Sequence, residues 1–120
     1  METQKENILK EKSFLFAVHI VKLCKLLADE KKEFVVSRQI LRSGTSVGAN
    51  IREANSAESK PDFIHKLSIA LKETDESLYW LELLKETDYI TDHDFTLLYS
   101  EAEEIIKILK RSLLTAKSRK

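Results

Sequence analysis

At 120 residues the chain fits one domain with a single sizeable core and is short for two. Two Gly and one Pro, set against abundant Leu, Lys, Glu, Ile and Ala, disfavour a turn-rich β fold and point to long helices, so the expected class is all-α. Twenty basic and twenty acidic residues cancel, which removes the simplest argument for a nucleic-acid binder, and the single cysteine, Cys24, excludes an intramolecular disulfide and a cysteine-based metal cluster.

Four helical segments are predicted within one domain spanning 1–120, at about 7–32, 38–56, 60–87 and 92–117. The first opens after Met-Glu-Thr-Gln-Lys-Glu, which lacks the basic-then-apolar order of a secretory signal. No later apolar run approaches the roughly twenty residues that span a bilayer, so the expected location is the cytoplasm, a reducing compartment. Apolar residues occupy two adjoining faces of this helix, one through Phe16, Ile20, Leu23 and Leu27, the other through Phe14, Val18, Val21, Cys24 and Ala28. So wide a stripe predicts either a contact outside the subunit's own bundle or a deeply buried central helix.

Phe34, Val35 and Val36 are expected to cross to the second helix, with Ser37 as its N-cap. Inside that helix Arg42, Ser46, Asn50 and Glu53 share one face, while Gly44 and Gly48 fall on a neighbouring one. Each helical glycine costs about 1 kcal/mol against alanine, so the pair predicts a neighbour lying close against that face; a kink or loop at Gly44 is the competing expectation. Ser59 begins the third helix, with Pro61 in its first turn, Asp62 complementing its positive end, and an inward stripe of Phe63, Leu67, Ala70, Leu71, Thr74, Leu78, Leu81 and Leu84. Thr91 caps the fourth in a capping-box-like arrangement with Asp94, ahead of an inward stripe through Phe95, Leu98, Ala102, Ile105, Leu109 and Leu113. With short loops and no strand pattern, the simplest fold is an antiparallel up-down four-helix bundle.

Helices two and three reverse near Ala57 to Lys60, so residues equidistant from that turn meet. Glu53 is expected opposite Lys66, Ser46 and Asn50 opposite Glu73, and Arg42 opposite Glu76, forming a structural polar network that fixes helix register. The competing expectation is a merely solvated face. Trp80, beside Tyr79, reads as a packing anchor whose indole N–H needs an acceptor if buried. Charge is also unevenly placed: 73–104 carries eleven acidic residues, whereas 105–120 carries six basic residues and no acidic one. Lys107, Lys110, Arg111, Lys117, Arg119 and Lys120 are therefore candidate nucleic-acid contacts, or else a solvated helix end complementing the macrodipole.

Other chemistry fits poorly. Gly44-Thr45-Ser46-Val47-Gly48 matches G-x-S-x-G, but nothing before it reads as the strand a nucleophile elbow requires, and the Gly-Lys-Ser/Thr ending of a phosphate loop is absent. His19, His65 and His93 lie on three different helices, with no Glu-x-x-His pair of the di-iron type, so neither a metal nor another cofactor is implied. Glu73 and Glu76 read more naturally as partners of Arg42 than as paired acid–base catalysts, so no enzyme activity is expected.

The segments Arg-Ser-Gly-Thr-Ser-Val-Gly-Ala-Asn-Ile-Arg-Glu-Ala (42–54), Asp-Phe-Ile-His-Lys-Leu-Ser-Ile-Ala-Leu-Lys-Glu (62–73) and Glu-Ser-Leu-Tyr-Trp-Leu-Glu-Leu-Leu (76–84) together resemble the bacterial four-helix-bundle family encoded in 23S rRNA intervening sequences. The likeness extends over nearly the whole chain and rests most on Ser46, Asn50, Glu53, Lys66, Leu67, Ala70, Glu73, Glu76 and Trp80. It implies a ring-shaped homo-oligomer, a homopentamer. More distantly the chain is similar to the accessory protein of diversity-generating retroelements, which implies binding to RNA or DNA or to a nucleic-acid enzyme. Three functions follow as expectations: a non-catalytic oligomeric binder of nucleic acid or of such an enzyme, a protein–protein scaffold without nucleic acid, and, least expected, an enzyme using the Glu73, Glu76 and Arg42 cluster.

Overall fold

Each helix boundary has a local chemical cause. The computed structural model describes residues 4–119. Its elements are α1 (Gln4–Asp29), α2 (Val35–Asn55), α3 (Lys60–Glu86) and α4 (Asp92–Ser118), with no strand among the described residues. After α1, Lys32 takes a left-handed φ of 54° and the Glu33 N–H donates back to the Leu27 carbonyl at 2.9 Å. α3 ends in a Schellman arrangement. Asp88 sits at φ 63°, its N–H donates to the Lys85 carbonyl at 3.0 Å, and the Tyr89 N–H donates to that of Leu84 at 2.9 Å. Ser59 and Thr91 cap α3 and α4 as expected, accepting from the N–H groups of Asp62 at 3.2 Å and Asp94 at 3.1 Å.

The start of α2 differs from the sequence expectation. Val35 and Val36 are helical, the N-cap position is Phe34, and Ser37 lies inside the first turn with its Oγ donating to the Glu33 carbonyl at 3.1 Å. The cap is the Glu33 carboxylate, which reaches forward to accept from the N–H groups of Val35 (3.1 Å), Val36 (3.1 Å) and Ser37 (2.8 Å). An anion on three orphan donors at the positive end of a helix gains both hydrogen bonds and dipole energy. Glu33→Ala is expected to lower stability by about 1–2 kcal/mol, read as a shifted denaturation midpoint at unchanged m-value.

Neighbouring helices run antiparallel around a square, α1 against α2 and α4, and α3 against α2 and α4, with no close backbone approach across either diagonal among the described residues. The resulting rod measures 50 × 21 × 19 Å. Its axis carries Phe16, Ile20 and Leu27 from α1, Ile40, Val47 and Ile51 from α2, Leu81 and Leu84 from α3, and Ile105 and Leu109 from α4, all buried. The inward stripes foreseen for α3 and α4 fill their places, with Phe63, Leu71, Leu78 and Phe95 packed at the margin of the core.

Small residues draw α2 close to its neighbours. Gly44 is helical and unkinked in dihedral terms, and a Cβ built on it would stand 2.9 Å from Cγ1 of Ile20, so α1 occupies the missing side chain's place. Gly48 is looser, with the nearest atoms of Ser13 at 3.4 Å from such a Cβ. Against α3, Ser43 and Ser77 share a buried hydrogen bond of 2.8 Å, and Ser77 also donates to the Glu73 carbonyl at 2.9 Å. This interhelical pair, with Thr74 donating to the Ala70 carbonyl at 2.7 Å, keeps the polar atoms of the tightest seam satisfied.

Only one face of α1 is enclosed. Phe16, Ile20, Leu23 and Leu27 are buried, but on the adjoining face Phe14 is 58% and Val21 40% exposed, so this is not a deeply buried central helix. Cys24 is the covered end of that second face: its thiol donates to the Ser37 carbonyl at 3.3 Å, and burial, reinforced by the charge of Glu33, pushes it up to about 11. No helix among the described residues is long and apolar enough to cross a membrane.

Candidate functional site

Three surfaces have the chemistry of interaction sites. The first is the polar seam between α2 and α3. The antiparallel register places the Arg42 guanidinium between two carboxylates one helical turn apart, and it donates through Nη1 to Glu73 at 2.8 Å and through Nη2 to Glu76. The Trp80 indole N–H donates to the same Glu76 oxygen at 3.0 Å, and two to three turns closer to the α2–α3 loop Lys66 pairs with Glu53 at 3.2 Å.

Two features of the seam depart from the sequence expectation. Ser46 and Asn50 do not bond Glu73: Ser46 Oγ donates to the Arg42 carbonyl at 2.6 Å, and Asn50 Nδ2 donates to the Ser46 carbonyl at 2.8 Å. Short side chains on a helix find the carbonyl four residues back more readily than a partner across the interface. Nor is the seam sequestered. The Glu73 side chain is 11% exposed, but that of Arg42 is 52% and that of Glu53 58%, so the cations and carboxylates lie along a half-open groove and not inside the bundle.

Electrostatics in this groove follow from the donors. The Trp80 indole N–H, then the Arg42 guanidinium, hold the Glu76 carboxyl below the usual glutamate range against an opposing push from burial. Arg42 is held above its ordinary value, chiefly by its hydrogen bond to Glu76. A folded-state pKa below the unfolded one means that Glu76 stabilises the fold above the ordinary value of ~4.3, and that this contribution fades as pH falls through the depressed value. Trp80 is the only tryptophan in the chain and reports directly. Its fluorescence is expected to titrate with a midpoint below that of an ordinary glutamate, and Glu76→Gln should flatten the curve.

The second surface is the outer side of α4. Lys107, Lys110, Arg111 and Lys117 lie exposed opposite the buried stripe of Ile105, Leu109 and Leu113, with Arg119 exposed just beyond the helix. None of these five pairs with a carboxylate among the described residues; Lys120, grouped with them in the sequence, lies outside those residues. The upstream acids of α4 are partly spent on α1: Glu104 pairs with Lys12 at 2.7 Å, and Glu101 accepts from or pairs with His19 Nδ1 at 2.8 Å.

The third surface is apolar. Phe14 and Val21 of α1, Phe34 before α2 and Leu41 on it are exposed beside the crevice between these helices, which is floored by Ala17, Ala28 and Gly48. Around the corner Leu26 and Leu97 stand exposed over the α1–α4 groove above Leu23 and Leu98. His65 and His93 are exposed and apart, and no cluster of three or more His, Cys, Asp or Glu able to hold a metal occurs among the described residues. Neither the His19–Glu101 pair nor the Ser43–Ser77 bond leaves a signature in the sequence, because each joins helices through residues whose own spacing carries no pattern.

Comparison with known proteins identifies both a family and a similar solved structure. The description 23S rRNA-intervening sequence protein belongs to a family whose profile matches residues 5–111. The chain is also similar, at 55% identity and a TM-score of 0.90, to a crystal structure of a protein of unknown function from the S23 ribosomal protein family of Bacteroides thetaiotaomicron VPI-5482, the match covering 92% of this chain and 98% of that one. No curated protein matches.

Proposed function

The chain belongs to the 23S rRNA-intervening sequence protein family, and from that premise we propose that it is a non-catalytic, self-associating bundle that binds nucleic acid in the cytoplasm. The observation carrying this reading is the run of cations Lys107, Lys110, Arg111, Lys117 and Arg119 along one outer side of α4 and its end, none paired with a carboxylate among the described residues. Such cations displace condensed counterions from a phosphate backbone, and a few of them per subunit give only weak binding. A ring-shaped homo-oligomer multiplies that weak patch through avidity. Self-association is supported by the apolar strips on two sides of α1, because a closed ring needs two different complementary patches on each subunit. Five subunits is the number the family resemblance implies.

Catalysis by Arg42, Glu73 and Glu76 is disfavoured, since both carboxylates are already engaged by the one guanidinium. The scaffold reading is favoured by the overall charge balance and by the exposed Glu103 and Glu104 beside Lys107. Fluorescence anisotropy with a labelled RNA and a labelled DNA, run beside light scattering, decides between them. Binding at ~50 mM salt that collapses by ~200 mM is expected, and Lys107→Ala/Lys110→Ala/Arg111→Ala should reduce the salt slope by roughly two to three. No binding at ~50 mM by an assembled protein leaves the scaffold; a monomer in light scattering removes ring and avidity together.

A further inference from the structure

At the end of the rod where α1 and α3 begin and α2 and α4 finish, the bundle does not close. A cavity of about 180 Å³ remains, walled by Leu9, Ile51, Phe63 and Leu67. Protein interiors rarely leave voids larger than one water, and an apolar cavity of about 150 Å³ is enough to hold a benzene ring. This one is open at the mouth, where Glu6 and Arg119 stand.

One wall is Asn55, whose side-chain nitrogen Nδ2 is shut off from solvent and has no hydrogen-bond partner among the described residues. A buried amide N–H left without an acceptor is unfavourable by the full desolvation of the group. As placed, that N–H does not face the open space, and its use by a ligand requires the amide to rotate about its broad, soft terminal torsion. Whatever fills the space and offers an acceptor there gains twice, from apolar contact along the walls and from relief of the orphaned donor.

We propose that this end cavity is a binding site for a small monocarboxylate with a compact apolar body, an aryl or branched-alkyl acid of benzoate size. The ring or alkyl group lies between Leu9, Ile51, Phe63 and Leu67. The carboxylate accepts from Asn55 and faces the Arg119 guanidinium. One amide donor and one guanidinium match a single carboxylate, which limits the ligand to one negative charge. The cavity's size sets the other limit: drug-sized molecules need pockets of about 300 Å³ or more. The site shares Arg119 with the proposed phosphate-contacting surface but needs no nucleic acid, and its test reads benzoate binding alone.

The test is an NMR titration of the full chain with benzoate, using benzyl alcohol as the uncharged comparator of similar shape. Saturable shifts in the Asn55 side-chain amide pair and in the backbone signals of Ser112 and Ala116 are expected, with a Kd on the order of 1 mM for so small a ligand. Benzyl alcohol should bind about ten-fold more weakly. Asn55→Leu, which removes the orphaned donor and should melt no lower than the parent, is expected to weaken benzoate about ten-fold and leave benzyl alcohol unchanged. Ala116→Leu, at a half-buried helical position on the cavity wall, fills the space and should abolish both while the melting temperature holds. Absence of saturable shifts, or benzoate binding that is indifferent to both substitutions, would overturn the proposal.

Discussion

Phe16→Ala will lower the stability of the bundle by about 3–5 kcal/mol. Phe16 is fully buried near the middle of α1, on the face that meets the other helices, and is the largest of the completely enclosed side chains. Its loss removes the transfer free energy of a whole ring and leaves a void that the surrounding core side chains, each anchored on its own helix, fill only in part. A domain of this kind has a total stability of about 5–15 kcal/mol, so the variant is brought near the threshold of unfolding. Thermal denaturation should show a drop on the order of 12–20 °C. A fall of only a few degrees would mean that the core relaxes far more freely than helix packing at native density permits.

Opposite signs are expected at the two glycines of α2. Gly44→Val should destabilise by about 3 kcal/mol, because the Cβ alone already meets Ile20 at 2.9 Å, 3.0 Å and 3.3 Å and one of those atoms is the Ile20 Cβ, which cannot swing aside. Either α1 moves off α2 along much of its length or the isoleucine leaves its rotamer. The helix-propensity gain over glycine is a few tenths of a kcal/mol for valine and does not offset this. At Gly48 the same construction finds Ser13 at 3.4 Å, ordinary contact, so Gly48→Ala should be neutral or stabilising by up to about 1 kcal/mol from propensity alone. Urea denaturation of the two variants side by side checks the pair; destabilisation of similar size at both positions would show that the close approach is not confined to Ile20.

These two glycines also mark how far the sequence could be read. The helical stripes of α1 to α4 depend on burial alone and are legible to within about three residues at each end, because twenty-odd residues of a 3.6-residue pattern outweigh any local ambiguity. The Glu53–Lys66 and Arg42–Glu76 pairs were legible for the same reason, since an antiparallel turn converts distance along the chain into register across the seam. Ser37 has the short side chain usual for a cap but is not one, and a glutamate that folds forward onto three N–H groups leaves no such signature in sequence. The partners of Ser46 and Asn50 are not legible, because local carbonyls compete with groups across the groove and spacing does not say which wins. The end cavity was invisible for a different reason: it exists only where four helix ends fail to meet, and no single stretch of sequence records that.

The square arrangement of the helices has a kinetic consequence. Three of its four contacts join helices consecutive in the chain, each formed by closing one short loop, and such local topologies fold fast, in the microsecond to millisecond range. The fourth brings the first helix back to the last, and its polar links, Lys12 to Glu104 and His19 to Glu101, span 92 and 82 residues. That closure carries the greatest loop entropy and so comes late on the way in and early on the way out. Weakening either link therefore speeds escape from the native state while leaving the rate of its formation almost untouched.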